Sequence, residues 1–260
     1  MNCKNNQNKR DSGLRRSVTT LGAMLALAFA APAMAGTIDF ESLPPAAYMS
    51  SESVNTSGYN LLFVNGPVAA EFGFESGIGT VIDSGNAMSC DIAGCPVGAA
   101  GNYLAILNDG AVKMTRGGHQ FSISSLDFAF VAPVPVGPGD YGRLQLTGTL
   151  SDGSMLSTML AFPGQNSNFQ FLFGASDLDA AFRGSVFTSL TINACLWDGN
   201  GDCSNSFDSP AFNQAQFAID NVVLNEIPEP GSIALFGLAA GALGLSRRRA
   251  ARKAAKSATI

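Results

Sequence analysis

Positive charge is scarce in the middle of this 260-residue chain. Between Gly36 and Asn225 there are four lysines and arginines against seventeen aspartates and glutamates, so this segment carries a net charge of −13 where the whole chain carries −5. Nucleic acid and anionic lipid are bound through lysine and arginine, so the deficit excludes both as partners of this segment. Divalent cations and neutral sugars are the partners that it tolerates.

A recognisable catalytic set is also missing. His119 is the single histidine, no Gly-x-Ser-x-Gly nucleophile elbow occurs, and Gly77-x-Gly79 does not complete a phosphate-binding loop. A glycosidase would need only two carboxylates at the right separation, and the sequence does not show which acids could pair. We predict a protein that is not an enzyme, with a secreted polysaccharide-acting hydrolase as the alternative.

Long amphipathic helices are absent too, and period-two alternation takes their place. Such alternation is typical of half-buried strands in antiparallel sheets, and the apolar faces that it predicts are Leu144, Leu146 and Leu150; Leu126, Phe128 and Phe130; and Phe169, Phe171 and Phe173. Asn108-Asp109-Gly110 and Asp152-Gly153 each separate two such runs and favour tight hairpins. Ten to twelve short strands of this kind predict an all-β fold, an antiparallel β-sandwich with a jelly-roll-like course.

The amino-terminal end has the layout of an export signal. A basic leader precedes an uncharged run from Ser17 to Ala35, which ends in Ala33-Met34-Ala35. Small residues at Ala33 and Ala35 are typical of a signal-peptidase site, so residues 1–35 are predicted to be a signal peptide. The mature chain would then begin at Gly36.

The carboxyl-terminal end has three parts: a proline-containing sequence that ends the preceding strand, an apolar run and a cluster of basic residues. Pro228-Glu229-Pro230 ends any preceding strand, because proline lacks the backbone N–H. Residues Gly231 to Ser246 carry no charge and would form a helix of about 24 Å, short against a hydrocarbon core of about 30 Å. Six cations follow, including Arg247, Arg248 and Arg249, and would stay on the cytoplasmic side. An ordinary membrane anchor is the alternative.

These three elements in this order resemble the PEP-CTERM sorting signal of exported bacterial proteins. The resemblance implies that an exosortase recognises Pro228, Glu229 and Pro230 and cleaves the chain there. Gln216, Phe217 and Asp220 resemble the Gln-Phe-x-x-Asp subgroup of such proteins, whose activity is undefined. The implied setting is a Gram-negative-type bacterium that makes extracellular polysaccharide, with the product transiently anchored in the inner membrane.

A second resemblance concerns the last strand before that signal. Ile219-Asp220-Asn221-Val222 is similar to the last strand of galactose-binding-like jelly rolls, which place the first strand, here Thr37 to Glu41, beside it. Those folds often carry structural calcium at this place, so the resemblance implies a cation site formed by Glu41, or Asp39, with Asp220. The alternative is a buried Asp220 that accepts backbone N–H bonds.

Four cysteines remain after export. Proximity in the chain favours the disulfides Cys90–Cys95 and Cys195–Cys203, although four cysteines allow three pairings. The spacing without a nearby histidine argues against zinc.

The loop between Cys195 and Cys203 contains Asp198, Asn200 and Asp202, which alternate like the first half of an EF-hand calcium loop, but the later ligands of such a loop are missing. A disulfide-pinned surface loop is the alternative reading. Trp197 could stack on a sugar ring or fill the core.

Three segments are therefore expected: a signal peptide at 1–35, a β-sandwich domain at 36–225 and a PEP-CTERM signal at 226–260. Signal peptidase and an exosortase are the predicted processing partners, and the membrane is contacted only through the carboxyl-terminal helix before processing. Exopolysaccharide is a candidate partner, but the sequence does not identify the ligand of the mature domain. The predicted function is a non-catalytic binding or structural protein of the cell surface or biofilm matrix. Besides the hydrolase, ice binding is an alternative, although the regular threonine arrays of ice-binding faces are absent.

Overall fold

The structure, a computed structural model, describes residues 35–66, 77–86, 90, 94–132, 137, 139–196, 215–227, 237, 239–244 and 246–248. The chain divides into two compact units, Met34–Ile227 and a second unit that combines Met1–Ala33 with Pro228–Ile260. In the second unit the described residues 237, 239–244 and 246–248 are helical. Among the described residues we find no helix that is both long and apolar enough to cross a membrane.

The described part of the first unit consists of thirteen strands and one short helix. Each strand runs antiparallel to the strands with which it pairs. In chain order the elements are β1 (Ala35–Ile38), β2 (Ala47–Tyr48), β3 (Ser53–Thr56), β4 (Tyr59–Val64), β5 (Gly79–Asp83), β6 (Asn102–Ile106), β7 (Ala111–Thr115), β8 (Phe121–Phe130), β9 (Gly142–Leu150), β10 (Met155–Ala161), β11 (Gly174–Ala175), α1 (Ala180–Arg183), β12 (Phe187–Leu196) and β13 (Phe217–Glu226).

The strands form two facing layers. The first layer has the order β2-β5-β6-β13-β8, with β1 beside β13 and β11 beside β8, and the second has the order β10-β9-β12-β7-β4-β3. In the described part of the chain, the pair of Phe121 with Phe187 joins β8 to β12 and so links the two layers into one continuous sheet. Both layers supply the main core, which includes Ile123, Phe217 and Leu224 from the first and Leu61, Leu146 and Ile192 from the second. The predicted antiparallel β-sandwich is confirmed.

Alternation predicted the burial of two strands correctly and misjudged a third segment. Leu144 and Leu146 are fully buried, and Leu126, Phe128 and Phe130 are buried as well. Phe169 to Phe173 is not a strand: it is a loop held by two isolated bridges, Gln165 with Phe171 and Val97 with Leu172. The prediction of a strand there was wrong because alternate phenylalanines do not require a strand: loop contacts bury Phe171, whereas Phe169 stays exposed.

The two predicted hairpin turns had different outcomes. Asp152-Gly153 joins β9 to β10, which pair with each other, so that hairpin is confirmed. Asn108 and Asp109 do adopt positive φ angles of 54° and 58°, yet the strands that they connect do not pair. β6 lies in the first layer and β7 in the second, so this prediction was wrong: the turn carries the chain from one layer to the other.

The part of the outer face of the first layer around β6 is covered rather than exposed to solvent. β6 is buried on both faces, and its Tyr103 and Ala105 form a small second core with Ile82, Val131 and Ala218. Ala99 and Phe173, from two loops, pack over this cluster. These loops create the concave surface that is described next.

Candidate functional site

A cavity of about 660 Å³ lies on the covered face of the first layer. Ile82 from β5 and Tyr103 from β6 contribute to its lining, together with the loop Gly94–Ala99 and residues Asn168–Phe171. Asp83, Ser84 and Asn86 line it at the end of β5. Apolar side chains thus meet a carboxylate, hydroxyl and amide groups, which is the usual composition of a small-molecule site.

Phe169 is the most unusual residue of this cavity. Its side chain is 55% exposed, and its backbone has a φ of 62°, in the left-handed region that costs an ordinary residue roughly 1–2 kcal/mol. A buried phenylalanine could repay that cost through packing, but an exposed one gains little. Backbone strain at an exposed aromatic residue beside a cavity is a feature that typically serves function.

Hydrogen bonds around Asn166 hold Phe169 in place. The Asn166 side-chain oxygen accepts from the backbone N–H groups of Asn168 and Gln170, at 2.9 and 3.0 Å. The Phe169 N–H donates to the Asn166 carbonyl at 3.0 Å, and the Phe169 carbonyl accepts from the Gln165 side-chain amide at 2.9 Å. Hydrogen bonds within the chain therefore stabilise this loop without a ligand, since an asparagine side chain can hydrogen-bond to nearby backbone and stabilise such turns.

The opposite side of the cavity is also well supported. The Cys90–Cys95 disulfide is present, as predicted, and both cysteines line the cavity. The Ser84 hydroxyl donates to the Ala99 carbonyl, and the Val97 N–H donates to the Phe171 carbonyl at 2.8 Å, which joins the two loops. Below them Tyr103 packs edge-on against Phe173, and burial raises the pKa of its phenol.

Glu41 and Asp220, the predicted cation ligands, belong to a group of acids at the junction of β13 with the chain that follows β1. Asp220 is 1% exposed, and burial, with smaller contributions from the negative charges of Asp127, Glu41 and Asp39, raises its pKa to about 7. Its Oδ1 accepts the Asn221 N–H at 2.7 Å, and Glu41 Oε1 accepts the Asn102 N–H at 2.9 Å. The backbone N–H bond that was the alternative for Asp220 is thus present.

The fit of these acids to calcium is weak in the part of the chain that the structure describes. Calcium requires six to eight oxygen ligands, and no three acid, histidine or cysteine side chains among the described residues converge on a common point. Asp198, Asn200 and Asp202, the other predicted ligands, lie outside the described residues, as do Trp197 and Cys203. Structural calcium stays a prediction, tested by titrating calcium into chelator-treated protein and following the melting temperature.

The remaining predicted residues lie at the two ends. Ala35 begins β1, where it pairs with Asn225, whereas Ala33 lies outside the described residues. Pro228, Glu229, Pro230 and Arg249 lie outside them as well, while Arg247 and Arg248 are helical and exposed. Cys195 is disulfide-bonded, and its predicted partner is Cys203.

Comparison with known families identifies the carboxyl-terminal segment. Residues 226–250 match the family described as the PEP-CTERM protein-sorting motif. The chain carries a PEP-CTERM sorting motif. This motif implies an exported protein that an exosortase processes and that is transiently anchored in a membrane. No curated protein matches the chain.

Carbohydrate-binding modules are among the solved structures that are similar to this chain. A variant of the family 29 module CBM29-2 matches with 14% identity and a TM-score of 0.31, over 75% of this chain and 93% of that chain. The CBM22-1–GH10 modules of Clostridium thermocellum xylanase 10B, solved with xylohexaose, match with 11% identity and a TM-score of 0.31, over 72% and 29%. The tandem CBM22 modules of Paenibacillus barcinonensis Xyn10C match with 11% identity and a TM-score of 0.28, over 73% and 50%.

Sequence reasoning did not find Phe169. Trp197 was the one aromatic residue considered for sugar stacking, with filling of the core as the favoured role, and the spacing of Phe169 from Phe171 and Phe173 predicted a strand face. The signal that could have identified it is Asn166-Ser167-Asn168 directly before it, since clustered asparagine and serine predict a turn rather than a strand.

Proposed function

We propose that the mature domain is a non-catalytic glycan-binding module that the exosortase route delivers to the cell surface or extracellular matrix. The observation that carries this proposal is the exposed, pre-positioned Phe169 at the edge of a cavity of about 660 Å³. An aromatic face supplies apolar contact to the C–H groups of a sugar ring. A rigid loop supplies that contact without an ordering cost on binding.

The polar groups of the cavity suit a neutral ligand. Asp83, Asn86, Asn168 and Gln170 offer acceptors and amide donors, which match sugar hydroxyls. The acidic balance of the domain would repel a strongly anionic polymer unless cations bridged the two. We therefore assign a neutral segment of the producer's exopolysaccharide to this cavity.

The hydrolase alternative gains no support from this site. A glycosidase places two carboxyl groups on either side of the scissile bond, roughly 5–10 Å apart. Asp83 is the one carboxylate among the described residues that line the cavity. A single acid with polar amide neighbours is suited to binding a sugar and not to cleaving it.

Substitution of Phe169 tests the proposal. The exported, processed protein should bind oligosaccharides released from the producer's own exopolysaccharide, and Phe169→Ala should weaken that binding at least about tenfold, as expected for an aromatic anchor. Phe169→Trp should retain binding because the aromatic face remains. Isothermal titration calorimetry would measure both.

The matched control is Met159→Ala, which removes another exposed apolar side chain, from β10 of the other layer. It should leave binding unchanged. Equal affinities for wild type and Phe169→Ala, or release of shorter oligosaccharides during incubation, would contradict the proposal.

A further inference from the structure

The last strand of the domain leads directly into the sorting motif. β13 ends at Glu226, Ile227 follows, and Pro228 is the first residue of the Pro-Glu-Pro sequence. Glu226 pairs with Phe121 of β8, and the Ile227 N–H donates to the Gln120 carbonyl at 3.2 Å. The Pro-Glu-Pro sequence therefore begins two residues after the last residue of β13.

An ion pair fastens this last part of β13. The Arg116 guanidinium contacts the Glu226 carboxylate, and the same guanidinium lies 5.7 Å from the centre of the Tyr59 ring. The Arg116 side chain is 22% exposed, so water screens the pair only partly. Arg116 is one of four cations between Gly36 and Asn225, and it lies where the chain leaves the domain.

The pairing of neighbouring residues limits which part of β13 can open. Asn225 is paired on both sides, with Ser122 of β8 and with Ala35 of β1. Among the described residues, the backbone of Glu226 and Ile227 pairs on the β8 side only, because β1 begins at Ala35. Signal-peptidase cleavage after Ala35 would leave Asn225 paired on the β8 side only as well, so residues 225–227 form the segment at the end of β13 that detaches most easily.

Cleavage at the motif requires that such a segment detach. A peptide-cleaving enzyme binds its substrate as an extended segment whose backbone groups pair with the enzyme. The backbone groups of Glu226 and Ile227 are already used inside the domain. The folded domain thus competes with the enzyme for the two residues next to Pro228.

We infer that Arg116 is a positioning residue for the processing reaction. By holding Glu226 it keeps the end of β13 closed and slows the entry of the Pro-Glu-Pro segment into the exosortase. This inference rests on the exosortase handling of the chain. The new element is that the folded domain limits the rate of exosortase processing, because the ion pair between Arg116 and Glu226 must open first.

Processing of an Arg116→Gln variant in the producing bacterium tests the inference. A pulse–chase experiment would follow the loss of the basic tail by mass. Surface ion pairs contribute about 0.2–1 kcal/mol, so the variant should lose its tail about 1.4- to fivefold faster than wild type. Arg116→Lys should process at the wild-type rate because it keeps the positive charge. Arg143→Gln, which breaks the ion pair with Asp140, is the matched control and should also process at the wild-type rate.

A spacer variant separates this role from a general effect on stability. Insertion of Gly-Ser-Gly-Ser between Ile227 and Pro228 leaves Arg116 intact and frees the motif from the sheet, so it should speed processing as well. Arg116→Gln should add nothing in that background. Hydrogen exchange at Glu226 and Ile227 should rise in the single variant while its melting temperature changes little.

The outcomes distinguish two failures. If wild type is processed and Arg116→Gln or the spacer variant is processed at the same rate or more slowly, the role of Arg116 is wrong. If wild type never loses its tail, the exosortase handling itself is wrong.

Discussion

Asp220 shows at the level of one residue how burial changes the chemistry of an acid. It is 1% exposed, and burial, followed by the nearby charges of Asp127, Glu41 and Asp39, raises its pKa from 3.8 to about 7. The hydrogen bond from the Asn221 N–H acts in the opposite direction and does not compensate. The folded protein therefore keeps a proton on Asp220 at pH values where the unfolded chain has lost it.

This pKa predicts how stability depends on pH. Because the native state binds the additional proton between about pH 4 and pH 7, the contribution of Asp220 to stability falls as the pH rises through that window. Asp220→Asn should remove this loss of stability, so the melting temperature of the variant should be at least about 3 °C above that of wild type at pH 8. At pH 4 the two melting temperatures should be similar. Thermal melts in a chelating buffer would measure the difference.

The Asp152→Asn variant is a suitable control, because the Asp152 pKa is lowered through hydrogen bonds from Ser154 rather than raised. It should not gain stability at pH 8. A lower melting temperature of Asp220→Asn than of wild type at pH 8 would show that the ionised carboxylate stabilises the fold, which would contradict the prediction.

Phe169 is the other residue that the fold makes unusual. In the sequence it is one of eighteen phenylalanines, and its spacing from Phe171 and Phe173 indicated a strand. The Asn166 turn gives it a positive φ angle and turns it outward, while Phe171 is buried. Alternation alone could not distinguish these two side chains.

Strands β9 and β12 show at the level of elements how close packing depends on glycine. Gly148 of β9 lies opposite Leu190 of β12, and a Cβ atom at Gly148 would collide with the ring of the fully buried Phe187. Phe187 in turn packs against Phe182 of α1, with ring centres 4.9 Å apart. The short helix α1 is thus packed against the sandwich through the ring of Phe187, and this ring occupies the space that a side chain at Gly148 would fill.

Gly148→Ala should therefore destabilise the domain by about 1–3 kcal/mol, the usual cost of overpacking a core. Denaturant unfolding of the exported protein would measure it. Gly164→Ala is the control, because nothing lies within 4 Å of a Cβ atom at that position. Equal loss of stability in both variants would mean that the Phe187 contact is not the cause.

At the scale of the whole molecule, the places where the two predicted end segments join the domain lie side by side in the first layer. Ala35, the residue before the predicted signal-peptidase cut, pairs with Asn225, three residues before Pro228. The antiparallel pairing of β1 with β13 brings the amino terminus of the mature chain beside the start of the sorting motif. Removal of both ends would leave Gly36, Thr37 and Ile38 of β1 in the sheet.

The mass of the native product tests this account of processing. The exported protein should begin at Gly36, contain the Cys90–Cys95 disulfide and lack Arg247 and Arg248. Intact-mass spectrometry before and after reduction would show all three. A species that retains the basic tail, or a cytosolic species that retains the leader, would contradict it.

The sequence alone determined the features that depend on residues close to one another in the chain. The export layout, the Pro-Glu-Pro signal, the acidic balance and the alternation of β9 each depend on neighbouring residues, and so does the proximity that joins Cys90 to Cys95. The tertiary structure decided which strands pair, because pairing joins residues that are far apart in the chain. The local sequence around one strand does not indicate which other strand will be its partner. It placed β6 and β7 in different layers, brought Glu41 and Asp127 towards Asp220, closed a cavity beside Phe169 and set Arg116 against Glu226.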